Sequence, residues 1–438
     1  MIEKAPEFEF SQHFSDTLVQ VDFQSGLESI IKSQKEYYYW DKVKYLKEKF
    51  LKPERIWKIL KISRSLNSKK NLIKSTTFDK SILLNYNVNE FLQQKLHYLD
   101  FNFGAGLQKE KLLTDLDKQD YLKNALMEES IFSSMIEGAT TTRVKAKDML
   151  RKNKKPKTKS EQMILNNYKT IQYISEYQGE EITIEKLYEI HRLVTENTLK
   201  TEDVGVFRDN NDVNVVNELT GEIVHTPPNF EELNDLMTSF CKFFNNNPKE
   251  DFIHPIVKGS ILHFLIGYIH PFVDGNGRTA RAIFYWYLLK NGYWLTEYLS
   301  ISRVIMKTKV QYEKAYLYTE IDDMDVTYFI HYQVKVLVRA FEELKTYVAK
   351  KKKEQSKLSK YLKLEGINER QAIILQKIED DSNRFFTVKE IENTFSITNQ
   401  TARTDIEELV ERGFLKKIAI NKKASNYWKG DKFDSAFL

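Results

Sequence analysis

His270-Pro271-Phe272-Val273-Asp274-Gly275-Asn276-Gly277-Arg278-Thr279-Ala280-Arg281 brings an imidazole, a carboxylate, a glycine-rich turn and two guanidiniums into one short segment. The turn Gly275-Asn276-Gly277 has the composition that lets a backbone enter left-handed conformations and aim successive N–H groups at one spot, an anion nest. Arg278 to Lys290 then carries Ala280, Ile283, Phe284, Tyr287 and Leu288 at helical spacing. The nest is therefore expected at the positive end of a helix, where phosphate oxygens bind. Arg278 and Arg281 share one face of the first turn, suited to forked grips on further phosphates. Asp274 is a hard oxygen ligand of the kind that holds Mg²⁺ together with substrate phosphates. His270 closes the apolar run Ile261 to Ile269, and an imidazole beside a phosphoryl group is suited to act as general base toward an attacking hydroxyl. A lone histidine or a lone Gly-x-Gly reads more simply as a capped turn between core helices; the coincidence of all these residues carries the phosphate reading.

The segment resembles the signature of the Fic family, His-x-Phe-x-Asp/Glu-Gly-Asn-Gly-Arg-x-x-Arg, at every fixed position. The resemblance implies a helical core around this loop and transfer of AMP from ATP to a hydroxyl side chain of a target protein, and of the chain itself. It assigns His270 as catalytic base and Asp274 as the Mg²⁺ ligand. Gly275, Asn276, Gly277, Arg278 and Arg281 become nucleotide-binding, and Phe272 anchors the loop in the core. Tyr312, in Val310-Gln311-Tyr312, stands where the family often has a base-contacting tyrosine. Tyr285, Tyr287, Tyr293 and Tyr316 are further aromatics of this region, most of them expected in the core.

Upstream, Tyr121 to Met135 reads as a helix, and Ser133-Ser134-Met135-Ile136-Glu137-Gly138 resembles the inhibitory motif Ser/Thr-x-x-x-Glu-Gly/Asn found in many Fic proteins. Glu137, offered to Arg281, would form a charge-assisted pair where a γ-phosphate belongs and repel that phosphate. Ser133 lies one turn earlier, and Gly138 ends the helix. The motif precedes the core in the same chain, so the resemblance implies autoinhibition without a separate inhibitor protein.

Between the motifs, Val213-Asn214-Val215-Val216 and Glu222-Ile223-Val224-His225 flank the turn 217–221 and read as a hairpin. In Fic proteins such a flap covers the active site and pairs with the target segment, which assigns Val213, Val215, Ile223 and Val224 to target docking by strand addition.

The chain's 438 residues, 41% hydrophobic, suffice for two or three domains, and 15 glycines and 8 prolines point to a mainly α protein. The fold class expected is a Fic-type helical core with a β-hairpin flap and a C-terminal winged-helix domain. A net charge of +5 from 67 basic and 62 acidic residues is too balanced for nucleic-acid binding by the whole protein. A single cysteine, Cys241, excludes an intramolecular disulfide and a thiolate metal cluster. No leader-like start and no apolar run of membrane-spanning length is present, so the expectation is a cytoplasmic protein with no membrane partner.

Gly26 to Phe50 and Pro53 to Leu66 read as amphipathic helices, with Tyr37-Tyr38-Tyr39-Trp40 as an aromatic packing seam. Arg151 to Lys159 is a basic loop, read as solvated. Helices over Asn368 to Glu379, Thr387 to Phe395 and Thr398 to Arg412, followed by strands near Lys417 to Ile420 and Asn426 to Trp428, spell a winged helix-turn-helix. Ser396 to Arg403 would open its recognition helix, with Arg403, Lys416, Lys417, Lys422 and Lys423 on phosphates. Asp405, Glu407, Glu408 and Glu411 make that helix acidic, which leaves DNA and protein equally as its partner.

The expected domains are an N-terminal helical region (1–110), the core (111–345), a charged linker (346–366) and the winged helix (367–438). An enzyme restrained by Glu137, homo-oligomeric assembly included, stands against a DNA-binding regulator whose core senses a nucleotide. The same signature also serves enzymes that use other nucleotides or that remove AMP.

Overall fold

The computed structural model describes residues 2–8, 27–47, 51–74, 81–103, 115–217, 220–246, 252–381, 383–395, 397–420 and 425–434. The chain divides into two compact units, Met1–Leu344 and Lys345–Leu438. Residues 1–110 and 111–344 thus fall in one unit; the expected boundary between them lies outside the described residues.

At the centre of the first unit are the helices Pro255–Ile269 and Asn276–Lys290, packed against each other. Twelve of fifteen residues in the former and thirteen of fifteen in the latter are buried, as an all-round apolar helix requires. Asp115–Ile136, Lys159–Glu176, Ile184–Thr195, Leu233–Asn245 and Lys309–Ile321 complete the core with the first part of Thr327–Leu362. Two antiparallel strand pairs lie in this unit, Lys69–Lys74 with Ser81–Tyr86 and, at the expected flap, Val215–Val216 with Ile223–His225, the latter with a bulge at Val215/Val216. No described helix is long and apolar enough to cross a membrane.

The helix expected over 26–50 ends at Glu36, because Tyr37 turns left-handed at φ +54°. Gly26 and residues 48–50 lie outside the described residues. The aromatic seam is present: Tyr39, Trp40 and Trp57 are buried together with T-shaped ring contacts. Arg64, also buried, donates to Tyr328 Oη at 2.8 Å and to the Tyr38 carbonyl at 2.9 Å, while Lys61 pairs with Asp322 at 2.7 Å. Buried cations with such partners fasten the helix Pro53–Leu66 to Asp322 and to Tyr328 at the start of the helix Thr327–Leu362.

In the second unit, Glu369–Asp380, Val388–Phe395 and Asn399–Glu411 pack around Ile374, Leu375, Ile406 and Leu409, followed by the antiparallel strands Leu415–Ala419 and Ser425–Lys429. Asn368 and Gln371 form a capping box, and the Thr398 side chain caps the third helix. This is the winged helix-turn-helix read from the sequence. The linker expected over 346–366 is helical as far as Leu362, so its lysine run continues a helix.

Candidate active site

His270 ends the helix Pro255–Ile269 in a left-handed conformation, φ +49°, where a side chain is tolerated only when its surroundings fix it. Its Nδ1 lies 3.1 Å from the Gly267 carbonyl. A carbonyl only accepts, so Nδ1 carries the proton and Nε2 keeps its lone pair. Burial pushes the imidazole pKa below its ordinary 6.5, and His225 and Arg208 push the same way. At neutral pH the ring is an uncharged base.

Beneath it, Phe272 is fully buried and its ring stacks on His191 with centroids 3.8 Å apart. His191, from the helix Ile184–Thr195, accepts from the Gly205 N–H at Nδ1 and donates through Nε2 to the Asp274 carbonyl at 2.9 Å. Burial drives its pKa down to about 4, so it is a neutral strut. Arg208 donates through Nε to the His270 carbonyl at 3.0 Å and through Nη2 to the Pro228 carbonyl, joining the loop to the segment after the flap.

Asn276, expected on phosphate, spends its side chain on the loop: Oδ1 accepts from the Phe272 N–H at 3.0 Å and Nδ2 donates to the Phe272 carbonyl at 2.8 Å. What it has left for a ligand is its backbone N–H. Asn276→Ala would leave both Phe272 groups buried and unpaired, at about 1–3 kcal/mol each. A clear fall in melting temperature, read by calorimetry, is the expected result; an unchanged melt would show that the loop is fastened elsewhere.

The helix after the loop begins at Asn276, two residues before the expected start, with Gly275 as its N-cap at φ +86°. Gly277 is thus inside the first turn, and its missing side chain serves space instead of a turn. A Cβ there would overlap the Glu137 carboxylate. That carboxylate therefore lies against the helix N-terminus, in the place an anion would take.

Glu137 follows the helix Asp115–Ile136, and Gly138 closes it in a left-handed conformation, φ +87°. Arg281 Nη2 reaches Glu137 Oε1 at 2.9 Å and the Ser133 carbonyl at 2.8 Å, and Nε donates to Ser133 Oγ at 2.8 Å. Glu129, buried in the same helix, accepts from the Ser302 N–H at 2.8 Å and from its hydroxyl. Its carboxyl is pushed up by burial. These contacts tie the helix at two points along its length.

Arg278 and Arg281 do not act side by side. Arg278 is buried, donates to the Val194 carbonyl at 3.0 Å and lies 3.5 Å from Asp274. Its free capacity is Nε, and that of Arg281 is Nη1, both buried and unpaired among the described residues. Asp274 is 46% exposed, with Oδ1 accepting from the Gly275 N–H. No group of three or more His, Cys, Asp or Glu able to hold a metal occurs among the described residues. A single open carboxylate fits Mg²⁺ that arrives with phosphates.

Residues 181–288 match the Fic/DOC family and residues 370–419 a DeoR-like helix-turn-helix domain. The chain carries a Fic domain. It is 35% identical over 113 residues to the protein adenylyltransferase Fic of Drosophila ananassae, covering 26% of this chain and 21% of that protein. Against the protein of the same name from Nematostella vectensis it is 36% identical over 115 residues, 26% of this chain and 25% of that one. The Drosophila virilis protein is 32% identical over 176 residues, 39% and 34% respectively. The chain thus spans about a fifth to a third of the length of these curated relatives. The fold is that of a Fic family protein from Desulfovibrio desulfuricans G20, with a TM-score of 0.51 at 18% identity over 78% of this chain and 95% of that one.

Beyond the matched residues, Tyr312 is closed into the core, its hydroxyl 2.8 Å from His263 Nε2 and its ring among Tyr316, Phe329 and Tyr332. It presents no open face of the kind the expected adenine contact needs. Tyr285, Tyr287 and Tyr293 are buried as anticipated. On the flap, Val213 precedes the strand, and Val213, Val215 and Val224 are half-buried. Ile223, 60% exposed, is the one expected docking residue that stands out, joined by Val216. His225 lies 2.7 Å from Glu320 and 2.7 Å from the Tyr268 carbonyl, which fixes the flap's base. His191, Arg208 and Glu129 had no sequence signal, because each acts through a partner remote in the chain.

Proposed function

We propose that the Fic domain transfers AMP from ATP to a Ser, Thr or Tyr hydroxyl of a target protein, and to its own chain, with Glu137 as intramolecular restraint. The observation that carries this reading is a neutral His270 with a free Nε2, on a loop whose following helix N-terminus is filled by a carboxylate bound to Arg281. The carboxylate stands where a phosphate is expected.

His270 Nε2 would take the proton as the target oxygen forms its bond to the α-phosphorus. The bond from that phosphorus to the bridging oxygen breaks, and pyrophosphate leaves. Mg²⁺, held by Asp274 and the phosphates, would offset charge on the leaving group. The first-turn N–H groups of Asn276, Gly277 and Arg278 have no helical acceptor and are placed for phosphate oxygens. Ile223 and Val216 give the flap an apolar edge for the target segment.

The deciding experiment supplies ATP labelled at the α- or the γ-phosphate, with Mg²⁺ and lysate as target source. Label on protein from α alone supports AMP transfer. Label from γ alone marks phosphoryl transfer, and label from neither favours another nucleotide or a sensor.

Because burial holds the His270 pKa below 6.5, the base is unprotonated throughout the neutral range. Transfer at saturating ATP is expected to be flat from pH 8 to about 7 and to fall with a midpoint below 6.5, as the imidazole takes a proton. A decline already centred above pH 7 would point to a different base.

A specific observation also favours DNA as partner of the winged helix. Asp405 is buried and paired with Arg370 at 2.6 Å, Glu407 is paired with Lys417, and Glu408 accepts from Gln371. The exposed start of the helix presents Asn399, Gln400, Arg403 and Thr404, residue types that read bases. Three of the four acids that argued against DNA in the sequence thus have partners within the domain, and the fourth, Glu411, stands exposed at the far end of the helix. Ser396, Lys422 and Lys423 lie outside the described residues.

A further inference from the structure

Residues 143–159, Arg-Val-Lys-Ala-Lys-Asp-Met-Leu-Arg-Lys-Asn-Lys-Lys-Pro-Lys-Thr-Lys, hold nine cationic side chains and one carboxylate. The sequence alone offers a solvated loop. The structure shows a built surface. The helix Arg143–Arg151 is closed by Asn153 in a left-handed conformation, with the Lys154 N–H bonded to the Met149 carbonyl, and Thr158 caps the helix that follows.

The carboxylates that face this surface are already saturated. Glu128 accepts from both Arg143 and Lys147, and Asp148 pairs with Lys152 and Lys154. Glu161 takes Lys145 and the Lys157 N–H. Nine cations thus meet three carboxylates. The side chains of Arg151, Lys155, Lys157 and Lys159 are exposed and form no ion pair among the described residues.

Such an excess on a chain of nearly balanced charge calls for an anion. The kind follows from what accompanies the charge. From 151 to 159 the one apolar side chain is Pro156, and Val144 is the only large apolar residue of 143–159 that stands exposed. A protein interface needs an apolar, aromatic centre, and a membrane surface needs apolar side chains to insert. Repeated cations with Asn and Thr donors and no apolar anchor match a chain of phosphates.

We propose that the surface 143–159 docks the phosphate backbone of a nucleic acid. It is a contact of its own, distinct from the winged helix, and independent of the transfer chemistry. Arg143 and Lys147 also bind Glu128 on the inhibitory helix, so the docked strand would lie next to the element that carries Glu137.

The test measures binding of the full chain to a short labelled DNA duplex and to an RNA duplex of the same sequence, by anisotropy across about 50 to 200 mM salt. The wild type is compared with Lys155→Glu/Lys157→Glu/Lys159→Glu and, separately, with Arg403→Ala in the winged helix. The three lysines are exposed, and an unchanged melt would certify folding of the triple variant. The expected result for the triple variant is a loss of about tenfold or more at low salt with the log–log salt slope reduced by about 2 to 3, against a slope change of about 1 or less for Arg403→Ala. The preference between the DNA and RNA arms identifies the source of the backbone. An unchanged slope in the folded triple variant, or no wild-type binding to either duplex at low salt, would overturn the proposal. So would polyglutamate competing as well as a duplex, which would mark an acidic protein as the partner.

Discussion

His270→Ala is expected to lower transfer of α-phosphate label by about a hundred- to ten-thousand-fold, the usual range for removing a general base. The structure gives a reason to expect the upper part of that range. The imidazole is held in one tautomer by the Gly267 carbonyl and in one backbone conformation by Arg208. His225 and His191, the other imidazoles that touch the loop or its flanks, are both committed to backbone carbonyls. ATP binding should change little, because the alanine removes no group assigned to phosphate. Calorimetric titration with a non-hydrolysable ATP analogue would separate the two effects. Retention of more than a tenth of wild-type transfer would remove His270 from the role of base.

Glu137→Gly is expected to act in the opposite direction. Removing the carboxylate frees Arg281 Nη2 and empties the space against Gly277. Ending a charge-assisted bond worth about 1.5–3 kcal/mol corresponds to a gain of about 10- to 100-fold in productive ATP binding and hence in transfer. Glu137→Gln, which keeps the size but not the charge, should give an intermediate gain. Ser133→Ala should give a smaller one, since it removes the Nε contact while leaving the Ser133 carbonyl on Arg281. Initial rates with α-labelled ATP check the order. Equal rates for wild type and Glu137→Gly would mean that the pair in the structure does not limit the reaction. Should Glu137 instead align a water for AMP removal, the same variant would leave a modified target intact for longer.

These effects depend on contacts that differ in how well a sequence exposes them. The catalytic loop is legible because its chemistry is contiguous: base, carboxylate, glycines and arginines follow one another, and local spacing fixes their mutual reach. The same holds for the inhibitory motif, where Ser133 and Glu137 share a helical face. The winged helix was readable from the order of three short helices and two strands, each continuous in the chain, and the structure caps two of those helices with Asn368 and Thr398.

Other assignments needed the third dimension. Arg278 and Arg281 look equivalent in sequence, yet one turns inward to Val194 and Asp274 and the other toward Ser133 and Glu137. Asn276 reads as a ligand for phosphate and proves to be the clasp on Phe272, because a buried turn must satisfy its own backbone groups first. Gly277 reads as a turn residue and proves to be a space reserved beside a helix N-terminus.

The sequence by itself determined the helical class, the loop 270–281, the Glu137 segment that meets it and the C-terminal module, each encoded in residues close together in the chain. Only the tertiary structure decided which arginine receives Glu137, that His191 and Arg208 hold the loop, that Tyr312 is enclosed, and that Asp405 of the recognition helix is buried on Arg370. The reason is physical. Local spacing sets which groups can share a face, whereas burial and hydrogen-bond satisfaction, which settle what each group does, depend on partners brought from elsewhere in the fold.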